Sequence, residues 1–533
     1  MRYIILSILF CVFMSCNKTR TTEFKQENCL RINVRREPVS IDPRKGNDMI
    51  ASQIHFMLFE GLLRLNPDMS VSLAQAESYD VSDDYRTYTF HLKNTQWSDG
   101  TPVTAYDFEK SWKKILEPAF NSPDAYLLYP IKGAKQAKKG EIPIDEVGIV
   151  AKDQRTLIVE LQDHTPYFLH VIASSVLLPV NAKIDAQDPN WANSVDRILC
   201  NGPFRLAEWV PNQSLTFEKN PLYHQAHSVH LERVFVDVID RELACLHMYA
   251  SGHFDLIGAP LSFFPAILLE DQEAKKFVSS FPVAATKFLA FNTSAYPFHN
   301  RHIRRAFALA LDRHALVEHV THLSEQAALN VIPPALLSTQ RNLFADGDIR
   351  AAKEAFQQGL QEMGVDKLGK VSLMYVGNEL NHSLAQAFVQ MWKQALGIEV
   401  ILQQSEFKTL HDRAKRSDFN IGLFAWLADY GDPINILERF TDKTNHRNYS
   451  KWEHEGYKQL LVEALKAHSR AEYIEKMQQA EEILIEEMPF TCLFHENFSF
   501  LIHRHVQGFS ISPLGHIYFD RIWIDPSQKM DVP

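Results

Sequence analysis

Three regularly spaced histidines are the first residues in this chain that could hold a metal ion. His224, His227 and His230 form an H-x-x-H-x-x-H run. A zinc site on one helix uses two histidines on the same face of that helix, together with a further ligand and supporting hydrogen bonds. The run instead lies in a turn that enters a predicted strand over residues 231–238, where neighbouring side chains point to opposite faces. We therefore expect no metal here.

Two serine–lysine pairs have a spacing that is used in nucleophilic catalysis. Ser111 with Lys114, and Ser405 with Lys408, fit the S-x-x-K pattern of penicillin-recognising enzymes, but the accompanying S-D-N and K-T-G motifs are absent. No G-x-S-x-G, H-E-x-x-H, Walker A or G-x-G-x-x-G motif occurs either. We therefore expect neither an enzyme nor a bound cofactor.

The length and the charge of the chain limit the remaining classes of function. The chain has 533 residues, more than one hydrophobic core usually organises, so several lobes are expected. Its net charge of −10 is spread along the sequence without a basic block. A nucleic-acid partner would require a concentrated positive surface, so we expect none, and we expect the protein to be a monomer.

The amino-terminal residues have the pattern of an export signal. Arg2 precedes an apolar stretch over residues 3–14, which is followed by Ser15 and Cys16. A basic start, a short apolar core and a small residue before the cleavage point are typical of secretory signals. The run ending in Cys16 is similar to a bacterial lipobox, so we predict a lipid anchor on Cys16. The expected location is the periplasm, anchored to a membrane, or the cell surface if the envelope has one membrane.

The other cysteines of the mature chain match no known pattern. Their spacing contains no CxxC motif for metal or redox chemistry, and they are Cys29, Cys200, Cys245 and Cys492. One disulfide is possible outside the cytoplasm, and buried free thiols are the alternative. The sequence leaves both open.

Hydrophobic periodicity predicts the elements that must position a site. Tyr88, Phe90 and Leu92 alternate with polar residues as in a strand, and Thr104 is a suitable cap for the helix that follows. Later, an apolar stripe predicts a helix that starts near Asn300. Beyond it, helices and strands alternate up to residue 402, which implies a parallel sheet with helical crossovers.

The segment from 76 to 108 carries a family resemblance. It reads AESYDVSDDYRTYTFHLKNTQWSDGTPVTAYDF. This resembles the signature region of the oligopeptide-binding proteins of ABC importers, the peptide/nickel class of solute-binding proteins (family 5). Similar motifs stand at residues 59–63 (FEGLL), 201–206 (NGPFRL), 297–306 (PFHNRHIRRA) and 426–430 (WLADY). The resemblance covers almost the whole mature chain.

The resemblance implies an α/β fold, a two-lobed periplasmic-binding-protein clamp with mixed sheets and an inserted extra domain. The implied organisation is a signal peptide with lipobox (1–16), the first segment of lobe I (17–59), inserted domain II (60–185), the second segment of lobe I (186–284), lobe III (285–492) and the C-terminal segment of lobe I (493–533). Hinge closure around a ligand accompanies such a fold.

The resemblance also implies the ligand-binding residues. The aspartate of the W-ADY segment pairs with the peptide α-amino group in this family, which corresponds to Asp429 here; a capping or turn aspartate is the alternative. Trp426, Tyr430, Phe407 and Asn292 are further expected ligand-binding residues; for Trp426 a place in the hydrophobic core is the alternative. Several positions that recognise the far end of a peptide differ from the family pattern, so the length and type of ligand stay open.

The expected function is therefore capture of short peptides for an ABC importer, with permease subunits in the membrane as partners. A receptor for murein (cell-wall) peptides is one alternative, because the positions that recognise the far end of a peptide differ from the family pattern. A surface interaction protein, an adhesin or sensor built on the same clamp, is another; it would need an accessible apolar outer patch.

Overall fold

The computed structural model describes residues 28–46, 48–269, 273–339 and 341–528. The predicted signal and the lipid-anchor residue Cys16 lie outside the described residues. The strands within these ranges are β1 (Cys29–Val34), β2 (Leu63–Leu65), β3 (Val71–Leu73), β4 (Ala76–Val81), β5 (Thr87–Leu92), β6 (Ile149–Ala151), β7 (Thr156–Glu160), β8 (Phe204–Val210), β9 (Ser214–Lys219), β10 (Arg233–Val238), β11 (Leu256–Gly258), β12 (Ser279–Phe291), β13 (Gln326–Ala327), β14 (Val371–Val376), β15 (Val400–Ser405), β16 (Ile421–Leu427), β17 (Phe490–Ile502), β18 (Val506–Gln507) and β19 (Trp523–Ile524).

Helices alternate with these strands. The α-helices of the described ranges are α1 (Met49–Leu58), α2 (Ala105–Leu116), α3 (Ala134–Lys138), α4 (Phe168–Ile172), α5 (Ala182–Gln187), α6 (Glu242–Ala250), α7 (Arg301–Leu309), α8 (Arg313–Leu316), α9 (Ile349–Met363), α10 (Glu379–Leu396), α11 (Phe407–Lys415), α12 (Ile434–Leu437), α13 (Glu455–Leu465) and α14 (Arg470–Glu487).

A mixed sheet of 11 strands runs through the centre of the molecule. Its order is β15-β14-β16-β12-β17-β11-β1-β10-β9-β8, with β13 beside β17. Strand β14 is parallel to both β15 and β16, which confirms the parallel pairing predicted for the later third of the chain. The 13-residue strands β12 and β17 pair with each other and join the two halves of the sheet.

The pairing of β12 with β17 is interrupted where the two halves meet. The register shifts between Pro282 and Thr286. Within the interruption, the Ala284 N–H donates to Pro513 O (2.8 Å) and the Ala284 carbonyl accepts from the Ala428 N–H (2.9 Å). An irregular strand bends more readily than a regular ladder, so this place is suited to a hinge.

A smaller sheet of four strands, in the order β4-β5-β7-β6, lies within residues 76–160. Tyr88, Phe90 and Leu92 are buried on one face of β5, as predicted. The cap of α2 is also confirmed, since the Asp107 carboxylate accepts from the Thr104 N–H at 2.8 Å. This sheet falls inside the segment expected to form domain II, whose boundaries stay a prediction.

The predicted helix near Asn300 is confirmed as α7. The Asn300 side chain accepts from the His302 N–H at 2.9 Å and the Ile303 N–H at 3.2 Å. Ile303 and Phe307 of the predicted stripe are fully buried, because this face packs into the core.

The described cysteines Cys200, Cys245 and Cys492 are buried free thiols, which decides between the two alternatives for these three; Cys29 is buried as well. Burial raises the pKa of Cys200 to about 12, so this thiol is uncharged and unreactive at neutral pH.

In the histidine run, His224 Nε2 lies 2.7 Å from the carboxylate of Glu60.

Candidate functional site

One edge of β16 is open along most of its length. On one side β16 pairs with β12 from Ile421 to Leu427, whereas on the other it pairs with β14 only at Ile421 and Gly422. Beyond Gly422 this edge has no strand partner in the part of the chain that the structure describes. An open edge presents unpaired N–H and C=O groups, with which an extended peptide can pair.

Asp429 lies just beyond the end of β16 and is held by three side-chain donors. Its Oδ2 accepts from Arg439 Nη2 (3.1 Å), Asn435 Nδ2 (3.3 Å) and Arg447 Nη1. The Asp429 N–H donates to Asn435 Oδ1 at 2.9 Å, which fixes the backbone. The Tyr126 hydroxyl also lies beside this carboxylate and helps to keep it ionised. The side chain is 25% exposed.

Carboxyl and guanidinium groups of the protein surround Asp429. Burial alone would raise the pKa of Asp429, but the Arg439 and Arg447 guanidiniums hold it below its usual range, so the carboxylate stays ionised. Asp124 lies 4.0 Å from Arg447 and supplies a second carboxylate. Glu438 faces the same two guanidiniums, so three carboxyl groups surround Arg439 and Arg447.

A cavity of ≈ 310 Å³ adjoins Asp429 and the end of β16, and we call it the cleft. It lies among α1, the segment after α4, the end of β16 and the segment before β19. Its lining residues include Asp48, Met49, Ser52, His170, Ser174, Ser175, Leu427, Ala428, Asp429, Leu514 and His516. The lining therefore brings together segments from distant parts of the chain, as a binding site between lobes requires.

A second cavity of ≈ 650 Å³ adjoins the first, and we call it the chamber. Leu127 lines both cavities, Asp429 lines the cleft, and Arg447 lines the chamber. The other chamber residues include Ser122, Tyr126, Tyr129, Tyr167, Tyr430, Glu438, Arg439 and His446. The pair formed by Asp429 and Arg447 thus lies where the two cavities meet.

Aromatic contacts close the molecule around these cavities. The rings of Tyr167 and Tyr430 stack with centroids 4.9 Å apart. The Arg447 guanidinium lies over the Tyr126 ring at 4.6 Å from its centroid. These contacts join the segment that carries the small sheet to the segment after β16, so opening the cleft would require breaking them.

Tyr430 and Trp426 are both buried, and of the two only Tyr430 lines the chamber. The Tyr430 hydroxyl donates to Glu438 Oε1 at 3.1 Å in the wall of the chamber. Trp426 is 5% exposed and packs on Phe288, with ring centroids 4.0 Å apart. The structure therefore places Trp426 in the core behind β16, with its buried indole N–H unpaired among the described residues.

Phe407 and Asn292 lie apart from both cavities. Phe407 is the first residue of α11 and is 65% exposed, and its ring packs at a tilt on that of His411 with centroids 4.2 Å apart. Asn292 is 1% exposed and donates to the carbonyls of Ser417 (2.8 Å) and Phe419 (3.0 Å). Ligand contacts of these two residues stay a prediction.

Arg439, Arg447, Glu438 and Asp124 were not expected at the site from the sequence. Arg413, in α11, lines neither cavity, and its Nε donates to Asp418 at 3.0 Å. One local signal was available for Arg439: it follows Asn435 by four residues, so both reach Asp429 from one face of a helical turn. Arg447 has no such signal, because it approaches from a later loop.

Replacing Asn292 with alanine is expected to lower the free energy of unfolding by about 1–3 kcal/mol, because two buried carbonyls lose their donor. Chemical denaturation of the two proteins measures this difference. An unchanged stability together with weaker ligand binding would instead favour the direct ligand contact predicted for Asn292.

The stability of the protein is expected to fall between pH 4.5 and 7 because of Glu438. Burial raises the pKa of Glu438 from 4.5 to about 7, so the folded protein keeps a proton that the unfolded chain releases over this window. Raising the pH therefore favours the unfolded chain until the folded carboxyl also ionises. The melting temperature of the Glu438→Gln variant should fall less than that of the wild type between these pH values. An equal fall in the two proteins would contradict the raised pKa assigned to Glu438.

Among the described residues, none of the helices has the length and apolar character of a membrane span.

Residues 70–448 match the family model described as bacterial extracellular solute-binding proteins, family 5 Middle. The chain is similar to the oligopeptide-binding protein OppA of Bacillus subtilis strain 168, with 35% identity over 503 residues that cover 93% of this chain and 92% of the relative.

Two solved structures are similar over most of the chain. Haemophilus influenzae OppA in complex with RPPGFSPFR has a TM-score of 0.79 and 25% identity, covering 94% of this chain and 99% of that chain. The Escherichia coli murein tripeptide binding protein MppA has a TM-score of 0.79 and 27% identity, with the same coverage of 94% and 99%. These likenesses confirm the predicted two-lobed α/β clamp.

Proposed function

The chain belongs to the bacterial extracellular solute-binding proteins of family 5, and on this premise we propose that it captures short peptides for an ABC importer. The observation that carries this proposal is the open edge of β16, which ends beside the cleft at Asp429. A relative named as an oligopeptide-binding protein supports the same ligand class.

In this proposal the peptide lies extended in the cleft and pairs with β16 as an added strand. Main-chain hydrogen bonds supply affinity whatever the peptide side chains are, which suits a transporter of mixed peptides. Asp429 Oδ1 accepts from the nitrogen at the amino end of the peptide, while Arg439 and Arg447 keep the carboxylate ionised and in place. Tyr430 and Tyr167 close the lobes over the ligand.

Backbone methylation of the peptide tests this mode of binding. Calorimetry would compare tetra-alanine with the same peptide methylated on one central amide nitrogen. Methylation is expected to weaken binding by about tenfold or more, because it removes a donor and places a methyl group against the strand.

The matched control is a tetrapeptide in which one central alanine is replaced by serine. Its affinity is expected to stay within about threefold of tetra-alanine, since β-strand addition depends on the main chain. Equal affinities for the methylated and unmethylated peptides would contradict the added-strand mode.

A receptor for murein peptides is the second candidate, and the likeness to a murein tripeptide binding protein favours it. Both candidates use the same cleft and the same anchor. A co-purified ligand that contains diaminopimelate would support the murein-peptide candidate over a general peptide receptor.

We further propose export by residues 1–16 and anchoring through a lipidated Cys16, with permease subunits of the importer as partners in the membrane. The proposed role is binding and delivery without catalysis, which agrees with the family to which the chain belongs.

A further inference from the structure

We infer that Lys287 binds the carboxylate at the far end of a short peptide, and that three residues are the peptide length that fits best. This inference rests on the proposed function, because it takes the peptide as a strand added to the open edge of β16 with its amino end at Asp429. Two features carry it: Lys287 has no partner among the described residues, and it stands opposite Ala425, the one exposed residue of β16.

Lys287 is a half-buried cation without a bonded partner. It lies on β12, the strand that pairs with β16 on the side away from the open edge. In the part of the chain that the structure describes, its ammonium makes neither a hydrogen bond nor an ion pair. A cation that has lost part of its hydration is normally paired, so this lysine indicates a partner that comes from outside the chain.

Lys287 has a short route to the open edge of β16 across Ala425. The two residues are direct partners in the pairing of β12 with β16, so their side chains lie on the same face of the sheet. Ala425 is exposed and has only a methyl group, whereas Leu423 and Trp426 on the same strand are buried. Neighbouring strands are about 4.8 Å apart, a width that the four-carbon stem of lysine can cross. The ammonium can therefore reach a ligand that pairs with the far edge of β16.

Two carboxyl groups of the protein lie near Lys287 and compete only weakly for it. Glu496 lies on β17, two residues beyond Phe494, which is the partner of Lys287 on that strand. Burial raises the pKa of Glu496, and the Lys287 ammonium offsets part of this rise. Burial also raises the pKa of Glu325, which lies near Glu496 and accepts from the Thr321 hydroxyl. Both carboxyls therefore keep a proton more readily than in water, which leaves the ammonium available to a ligand carboxylate.

The register of the added strand sets the length of the ligand. A peptide whose amino end lies at Asp429 runs back along β16 and is therefore antiparallel to it. Its first residue is level with Leu427, its second with Trp426 and its third with Ala425. A tripeptide thus ends at the position that Lys287 faces, whereas a longer peptide carries its carboxylate past that position.

Calorimetry on the full chain tests the inference with peptides that all keep a free amine for Asp429. Tri-alanine as the free acid is expected to bind about tenfold or more tightly than its C-terminal amide, because only the acid offers a charged acceptor to Lys287. For penta-alanine, whose carboxylate lies two residues further on, the acid and the amide should agree within about threefold. Ala-Ala-Glu amide carries its carboxylate only on a side chain, and it should bind more weakly than tri-alanine acid; the reverse order would overturn the assignment of Lys287 to the chain end.

Variants of Lys287 provide the matching protein-side test. Lys287→Gln is expected to bind tri-alanine acid and amide within about threefold of each other, whereas Lys287→Arg keeps the preference for the acid. In Glu496→Gln the preference should persist or increase, because this variant removes the nearest competing carboxyl. Lys219→Gln is the matched control, since Lys219 is also a half-buried lysine on a strand of the large sheet and lines neither cavity. We expect this control to leave the preference unchanged.

Equal binding of tri-alanine acid and amide to the wild type would overturn the inference and leave peptide capture intact. A preference for the acid that persists in Lys287→Gln, in a variant with a wild-type melting temperature, would overturn it as well. If that variant does not fold, the length series on the wild type decides, because a preference of the same size for three and five residues contradicts a fixed position for the carboxylate. Failure of all the peptides to bind would contradict peptide capture itself.

Discussion

Replacing Asp429 with asparagine is expected to weaken peptide binding by about 10- to 100-fold. A hydrogen bond to a charged group contributes about 1.5–3 kcal/mol, and each 1.4 kcal/mol corresponds to a tenfold change in affinity. The asparagine keeps the size of the side chain, so the loss reports on the carboxylate rather than on packing. Calorimetric titration with tetra-alanine and with a mixed peptide library measures the effect.

Asp188→Asn is the matched control for this substitution. The Asp188 side chain is 24% exposed, against 25% for Asp429, and it also pairs with an arginine, Arg197. It lines neither the cleft nor the chamber, so its replacement should leave peptide affinity unchanged. If the Asp429→Asn protein bound peptides as tightly as the control, Asp429 would not be the anchor of the amino end.

Replacing Arg313 with methionine is expected to lower the free energy of unfolding by about 3–5 kcal/mol, the cost of removing one partner from a buried ion pair. Arg313 is fully buried and bonds to Cys492 O (2.7 Å) and Thr491 Oγ1 (2.7 Å) on β17. It also pairs with Asp346 at 2.9 Å. Methionine fills much of the space but removes the donor to these acceptors. Because β17 joins the two halves of the sheet, the loss affects both halves.

An Arg301→Met variant is the control for this prediction. Arg301 is 50% exposed, and its nearest carboxylate oxygen, on Glu487, is 3.5 Å away. Exposed ion pairs contribute about 0–1 kcal/mol, so the control should unfold close to the wild type. Chemical denaturation of the three proteins makes the comparison; an Arg313→Met protein within about 1 kcal/mol of the control would show that other contacts hold β17 in place.

Local sequence patterns predicted individual elements well because their causes are local. The alternation in β5 and the apolar stripe of α7 depend on a period of two or 3.6 residues, which the chain itself displays. Strand β1 shows the limit of this reasoning. Leu30, Ile32 and Val34 alternate with polar residues, which is typical of a half-buried strand. The strand nevertheless lies between β10 and β11, and Asn33 on its other face is also fully buried. The segments that cover this face of β1 are far away in the sequence.

The candidate site was predictable only in part for the same reason. Asp429 was found through the family resemblance, whereas local periodicity would have left it as a turn residue. Arg447 stands 18 residues later and reaches the same carboxylate because the chain turns back after α12. Tyr126 comes from a separate segment on the other side of the cavities. Such convergence depends on tertiary contacts that no local pattern records.

Native mass spectrometry of the protein, purified without denaturation, tests peptide capture most directly. The account predicts co-purified masses that differ from one another by whole amino-acid residues, and their loss from the Asp429→Asn variant but not from Asp188→Asn. A protein that carries no such masses and also binds nothing from added peptide libraries would contradict the account.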